Sequence, residues 1–101
     1  MRQCQITAIR RSVYADLSEQ FENPIKTPCT VSIGQSFCVT EDRRPDGLCE
    51  SAWETIRPFV CKLLKGEGNF FDGWMKDPDS AMLSCNDGFR PVSFLIECKE
   101  V

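Results

Sequence analysis

Residues 48–65 read LCESAWETIRPFVCKLLK, and their spacing decides the fold. Cys49, Ala52, Trp53, Ile56, Val60, Leu63 and Leu64 recur at the three- and four-residue steps of a helix turning about 100° per residue, so they collect on one side. An apolar stripe of this kind needs a surface to cover. Pro58 lies inside the pattern; an interior proline removes a backbone hydrogen bond and crowds the turn before it, which predicts a kink or two helices meeting near Arg57. Gly66 and Gly68 end the helix, and Asp46 as its N-cap would put Cys49 in the first turn.

The surface to be covered comes from strands on either side. Upstream, Cys4, Ile6 and Ala8 alternate with Gln3, Gln5 and Thr7, the period-two pattern of a half-buried strand; beyond Ala8 the parity changes to Ile9 and Val13, which marks either a bulge or the strand's end. Asp16 to Glu22 predicts a short helix, with Leu17 and Phe21 one turn apart and Asn23-Pro24 as its stop. A second strand, Gln35 to Thr40, alternates Phe37 and Val39 with Ser36 and Cys38. Downstream, Gly68 to Ser80 carries Phe70, Phe71 and Trp74 without a period and reads as an aromatic loop. Ala81 to Cys85 and Arg90 to Lys99 are alternating runs joined by Asn86-Asp87-Gly88-Phe89, an Asp-Gly hairpin. With Asp87 and Gly88 as the turn, Cys85 would face Arg90, Leu83 would face Val92 and Ala81 would face Phe94. The expected class is α+β: one domain over residues 1–101, with a small antiparallel or mixed sheet in the order strand, helix, strand, helix, strand, strand, covered by one main helix.

Composition limits the function. At 101 residues the chain suits one compact domain, and no run approaches the roughly 20 apolar residues of a membrane helix. The first residues, MRQCQITAIRRSVY, lack the apolar core of a signal peptide, so a soluble, cytoplasmic protein is expected, with its seven cysteines reduced. A net charge of -3 argues against nucleic acid as a partner, and Arg10-Arg11 and Arg43-Arg44 read as solvated surface. The sequence contains no histidine, which removes Ser-His-Asp and Cys-His nucleophile pairs and histidine zinc sites. Glycines 66, 68 and 73 fit no phosphate-binding loop, and no two cysteines stand at the close spacing of a zinc or iron–sulfur motif.

The chemistry-bearing candidates are therefore thiols and their neighbours. Cys49 at a helix start gains from unpaired amides that favour thiolate, and Cys85 would gain from Arg90 across the hairpin. The plainer alternative is that both are small buried hydrophobes and Asp87-Gly88 is only a turn. Cys4, Cys38 and Cys98 lie within strands and read as packing or edge residues, and Cys61 falls on the polar side of the helix as an exposed thiol or oligomer contact. Trp53 reads as core; Trp74 is divided between a lid on the core and a pocket wall.

Two stretches carry a resemblance: Gly47-Leu48-Cys49-Glu50-Ser51-Ala52-Trp53 and Cys85-Asn86-Asp87-Gly88-Phe89-Arg90-Pro91-Val92-Ser93-Phe94, supported by Pro28-Cys29 ahead of Gly34 and Phe37 and by Asn69-Phe70 with Trp74-Met75-Lys76. Together they resemble a family of short, mainly prokaryotic cysteine-containing proteins of about this length, with G-x-C-x-x-A-W and C-x-D-G-x-R-P-V motifs and no assigned activity. Thr30 departs from it, since such proteins tend to have a second proline after the cysteine. The resemblance implies a compact cysteine-bearing domain and marks Cys29, Cys49, Cys85, Trp53, Asp87 and Arg90 for testing.

Three functions compete. The first is a binding or accessory domain for a small molecule or a protein, using a pocket rimmed by Cys49, Trp53, Trp74, Cys85, Asp87 and Arg90, with Arg90 anchoring an anion. The second is thiol-based redox or nucleophilic chemistry at Cys49 or Cys85, tuned by Asp87 or Arg90. The third is a zinc or iron–sulfur site from Cys29, Cys49 and Cys85, which requires thiols scattered in sequence to converge.

Overall fold

The computed structural model describes residues 1–24, 29 and 31–101. Its elements follow in the order β1 (Arg2–Arg11), α1 (Ala15–Phe21), β2 (Ser36–Val39), α2 (Glu50–Leu64), β3 (Ser80–Ser84) and β4 (Val92–Glu100). This is the α+β succession expected from the sequence. The sheet is antiparallel throughout, in the order β2-β1-β4-β3, so the first and last strands pair at its centre.

Alternation along the strands makes one buried face from Cys4, Ile6 and Ala8 of β1, Phe37 and Val39 of β2, and Val92, Phe94, Ile96 and Cys98 of β4. α2 covers this face with Ala52, Trp53, Ile56, Val60 and Leu63, and Leu64 packs at the margin. Removing each large side chain from water contributes roughly 1.5–3 kcal/mol. The parity change after Ala8 is a bulge and not the strand's end: pairing steps from Ala8 opposite Phe94 to Arg10 opposite Ser93, leaving Ile9 without a partner, and β1 runs on to Arg11.

Pro58 does not split α2, which is continuous from Glu50 to Leu64. Both Pro58 and Glu54, whose carbonyl loses its helical partner, are on the solvent side, where water can take the missing donor's place, while the buried stripe holds the helix on both sides of the proline. The helix closes in a Schellman turn: Glu67 N donates to Lys62 O at 2.9 Å and Gly66 N to Leu63 O at 3.0 Å, with Gly66 at φ +77°. At the other end Cys49, not Asp46, is the N-cap, because the chain stays extended at Cys49 (ψ 135°) and enters the helix only at Glu50.

The hairpin register differs from the simple Asp-Gly expectation. Ala81 faces Ile96, Leu83 faces Phe94 and Ser84 faces Ser93, and Cys85 N donates to Val92 O at 3.0 Å. Cys85 is thus opposite Val92, not Arg90. The Asp87 carboxylate accepts the amides of Phe89 (2.8 Å) and Arg90 (3.1 Å), and Pro91 has no N–H to pair, so the connection runs from Asn86 to Pro91. The shift is two residues, which preserves the faces and changes the partners.

α1 buries no residue. Phe21 is 72 % exposed, and the helix is tied down at its ends by Tyr14 N to Phe89 O (2.8 Å) and by Arg90, which ion-pairs with Glu22. Among the described residues no helix is long and apolar enough to cross a membrane.

Candidate functional site

Three chain segments meet where α2 begins. The turn before the helix delivers Cys49, the β3 end delivers Cys85, and the residues ahead of β2 deliver Cys29 and Val31. These line one cavity of about 90 Å³, floored by Val92 and Phe94 and bordered by Asp87 and Arg90. Pro28 and Thr30, on either side of Cys29, lie outside the described residues.

Each thiol is held differently. Cys49 is exposed at the N-cap with its sulfur 3.5 Å from the Ser51 hydroxyl. As a thiol it makes no capping hydrogen bond. As an anion it is favoured by the Ser51 hydroxyl first, then by the Ala52 and Ser51 amides and the Arg44 guanidinium, which outweigh desolvation and draw its pKa below the ordinary 9.0. Arg44 is itself fixed, Nη1 donating to Leu48 O at 2.7 Å. Cys85 is half-buried, and its sulfur accepts the Val92 amide at 3.3 Å. Cys29 is exposed, with its carbonyl accepting Arg11 Nη2 at 3.3 Å while Nη1 holds Val31 O at 3.1 Å.

The charged candidates are occupied. Arg90 gives Nη1 to Glu22 and Nη2 to Ser18 Oγ (3.1 Å), and Ser18 in turn donates to Glu22 at 2.5 Å. The Ser18 hydroxyl first and Arg90 next hold the Glu22 carboxyl below its usual range. Asp87 spends one oxygen on the turn amides.

Neither tryptophan lines this cavity. Trp53 is buried under α2, and Trp74 is 42 % exposed in its loop, edge-on to Phe71 at 5.3 Å between ring centroids. A larger cleft of about 440 Å³ lies between Pro58, Phe59 and Lys62 on α2 and residues 67–71, with Phe59 against Phe70 at 4.9 Å. No thiol reaches it, so the chemistry and the larger volume are in different places, and the smaller cavity is the candidate site.

The remaining thiols divide by depth. Cys4 and Cys98 are buried, Cys38 is exposed on β2, and Cys61 is half-buried, its pKa raised by burial first and then by the neighbouring Asp42. Among the described residues no three Cys, Asp or Glu side chains are grouped to hold one metal ion.

Sequence reasoning missed Ser51, Arg44, Arg11, Ser18 and Glu22. Ser51, two residues beyond the N-cap, was the one legible signal; the arginine and glutamate roles depend on tertiary contacts. No protein-family model, curated protein or solved structure matches the chain.

Proposed function

We propose that the chain is a thiol-based protein whose working group is the Cys49 thiolate, acting in the cavity it shares with Cys29 and Cys85. The observation that carries this reading is convergence: thiols 20 and 36 positions from Cys49 in sequence line the same small cavity, beside a cysteine whose neighbours favour its anion. Both motif stretches, Gly47–Trp53 and Cys85–Phe94, contribute to that cavity, which supports treating them as one site. Thiol–disulfide exchange fits it. Cys49 sulfur attacks one sulfur of a small disulfide and expels the other half as a thiolate; Cys29 or Cys85 then attacks Cys49, expels the second half and leaves an internal disulfide.

A binding domain anchored by Arg90 is the second reading, and it is the weaker one, since a ligand anion would first have to displace Glu22 and a cavity of about 90 Å³ holds only a few atoms. The test is site-resolved alkylation of the native, reduced protein over a pH series. Cys49 is expected to react fastest at pH 7, well ahead of Cys38, which is exposed on a strand without comparable donors. Equal rates at Cys49 and Cys38 would sink the proposal.

A further inference from the structure

Outside that cavity, a second pair of thiols faces each other across the centre of the sheet. Cys4 on β1 is directly opposite Cys98 on β4, and both side chains lie on the buried face, at 0 % and 6 % exposure. The type of pairing follows from where the amides point. Cys98 N donates to Asp79 O, on the β3 side, and Ala8 N donates to Gln35 O, on the β2 side, so the even-numbered residues of β1 before the bulge direct their polar groups away from β4. Cys4 and Cys98 therefore form a non-hydrogen-bonded pair, the narrow kind, with Cα atoms about 4.5 Å apart. A disulfide spans Cα separations of about 4.4–6.8 Å.

The sulfurs are drawn to one place under α2. Cys98 Sγ lies 3.4 Å from Leu63 O and Cys4 Sγ 4.0 Å from Val60 O, carbonyls one turn apart on the helix. Leu63 O also accepts Arg2 Nε at 2.8 Å and Gly66 N at 3.0 Å, so losing the thiol proton leaves it satisfied. Closure joins two residues already paired in register and orphans no polar group there.

We propose that Cys4 and Cys98 are a reversible cross-strand disulfide site, closed by hydrogen peroxide. Peroxide oxidises the Cys98 thiol to a sulfenic acid and leaves as water; the Cys4 sulfur then attacks the sulfenic sulfur and expels a second water. Two thiol protons and two electrons reduce one peroxide to two waters. Burial, and next the adjoining Cys98, push the Cys4 thiol pKa up, so closure is slow beside any reaction at Cys49. The link would join residues 4 and 98 of 101, closing almost the whole chain into a loop, where a cross-link restricts the unfolded state most. A Cα separation at the short end of the range makes the bond strained and readily reduced.

The test treats the reduced protein with hydrogen peroxide, blocks remaining thiols after unfolding, and maps disulfides by mass spectrometry. The expected result is one peptide containing Cys4 joined to one containing Cys98, in a monomer, reversed by dithiothreitol and formed equally in Cys49→Ser. Recovery of Cys4 and Cys98 as free thiols after peroxide exposure prolonged well beyond complete oxidation of Cys49 would overturn the proposal. So would their linkage to other cysteines, or loss of the link in Cys49→Ser.

Discussion

Cys49 owes its thiolate character to neighbours close in sequence, Ser51 ahead and Arg44 behind, and the order of their effects can be tested. Removing the Ser51 hydroxyl deletes the largest stabiliser of the anion. Ser51→Ala should move the inflection of Cys49 alkylation upward toward the ordinary 9.0 and slow the reaction at pH 7 severalfold, because the thiolate is the nucleophile. Arg44→Gln should do the same to a smaller extent, since Arg44 acts after the hydroxyl and both amides. An unchanged profile in Ser51→Ala would move the origin of the activation to the helix amides and Arg44. The functional candidates at this scale were only partly legible. Cys49 at a helix start could be read from spacing, whereas Arg90 could not: its partner Glu22 lies 68 residues away, and no local pattern encodes that meeting.

The two helices illustrate how little an element's presence says about its energetic weight. α2 lays five buried side chains on the sheet, and Ile56 is wholly enclosed. Ile56→Ala should cost about 2–5 kcal/mol in urea unfolding, from lost burial and the cavity left behind. Gly66→Ala, at φ +77° in the Schellman turn, should cost about 1–2 kcal/mol because a Cβ is strained there. α1, by contrast, buries nothing and is moored by the Arg90–Glu22 pair. Arg90→Ala should accelerate amide exchange through Ala15–Phe21 and lower the urea midpoint at neutral pH only slightly, by what the Glu22 pair contributes. A large drop in that midpoint would mean that Arg90 supports the sheet instead. Both helices were legible from periodicity, but only the α2 stripe marks the side that meets the sheet; Leu17 and Phe21, one turn apart on α1, are both exposed. The hairpin partners were not, because the Asp87 side chain binds the Phe89 and Arg90 amides and lengthens the connection by an even number of residues. Face assignments survive such a shift, and pairings do not.

For the whole molecule, the titrating groups predict a stability plateau bounded on two sides. On the acid side, Asp42 is held at about 2 by its paired hydrogen bonds with Arg57 (2.6 and 2.7 Å), Glu22 is lowered by Ser18 and Arg90, and Glu100 is lowered by the terminal amine. Each is depressed in the fold, so its contribution is complete above the ordinary carboxylate values of 3.8 and 4.5 and is lost as pH falls through the folded values. On the alkaline side, Cys4 and Cys61 are raised above 9.0, chiefly by burial. Their contribution is complete below 9.0 and is lost as pH rises through the folded values, because the unfolded chain releases those protons first. The sequence has no histidine to titrate between these limits. Urea midpoints measured under reductant should therefore stay level from about pH 5 to pH 7, fall toward pH 2, and fall again above pH 9. Asp42→Asn should flatten part of the acid limb and a little of the alkaline one, because Asp42 also raises Cys61, whereas Cys61→Ser, whose hydroxyl can still donate to Asp42, should flatten part of the alkaline limb alone. A slope between pH 5 and 7 would mean that a carboxylate or thiol is displaced far beyond the partners named here, and Cys49 would be the first group to re-examine.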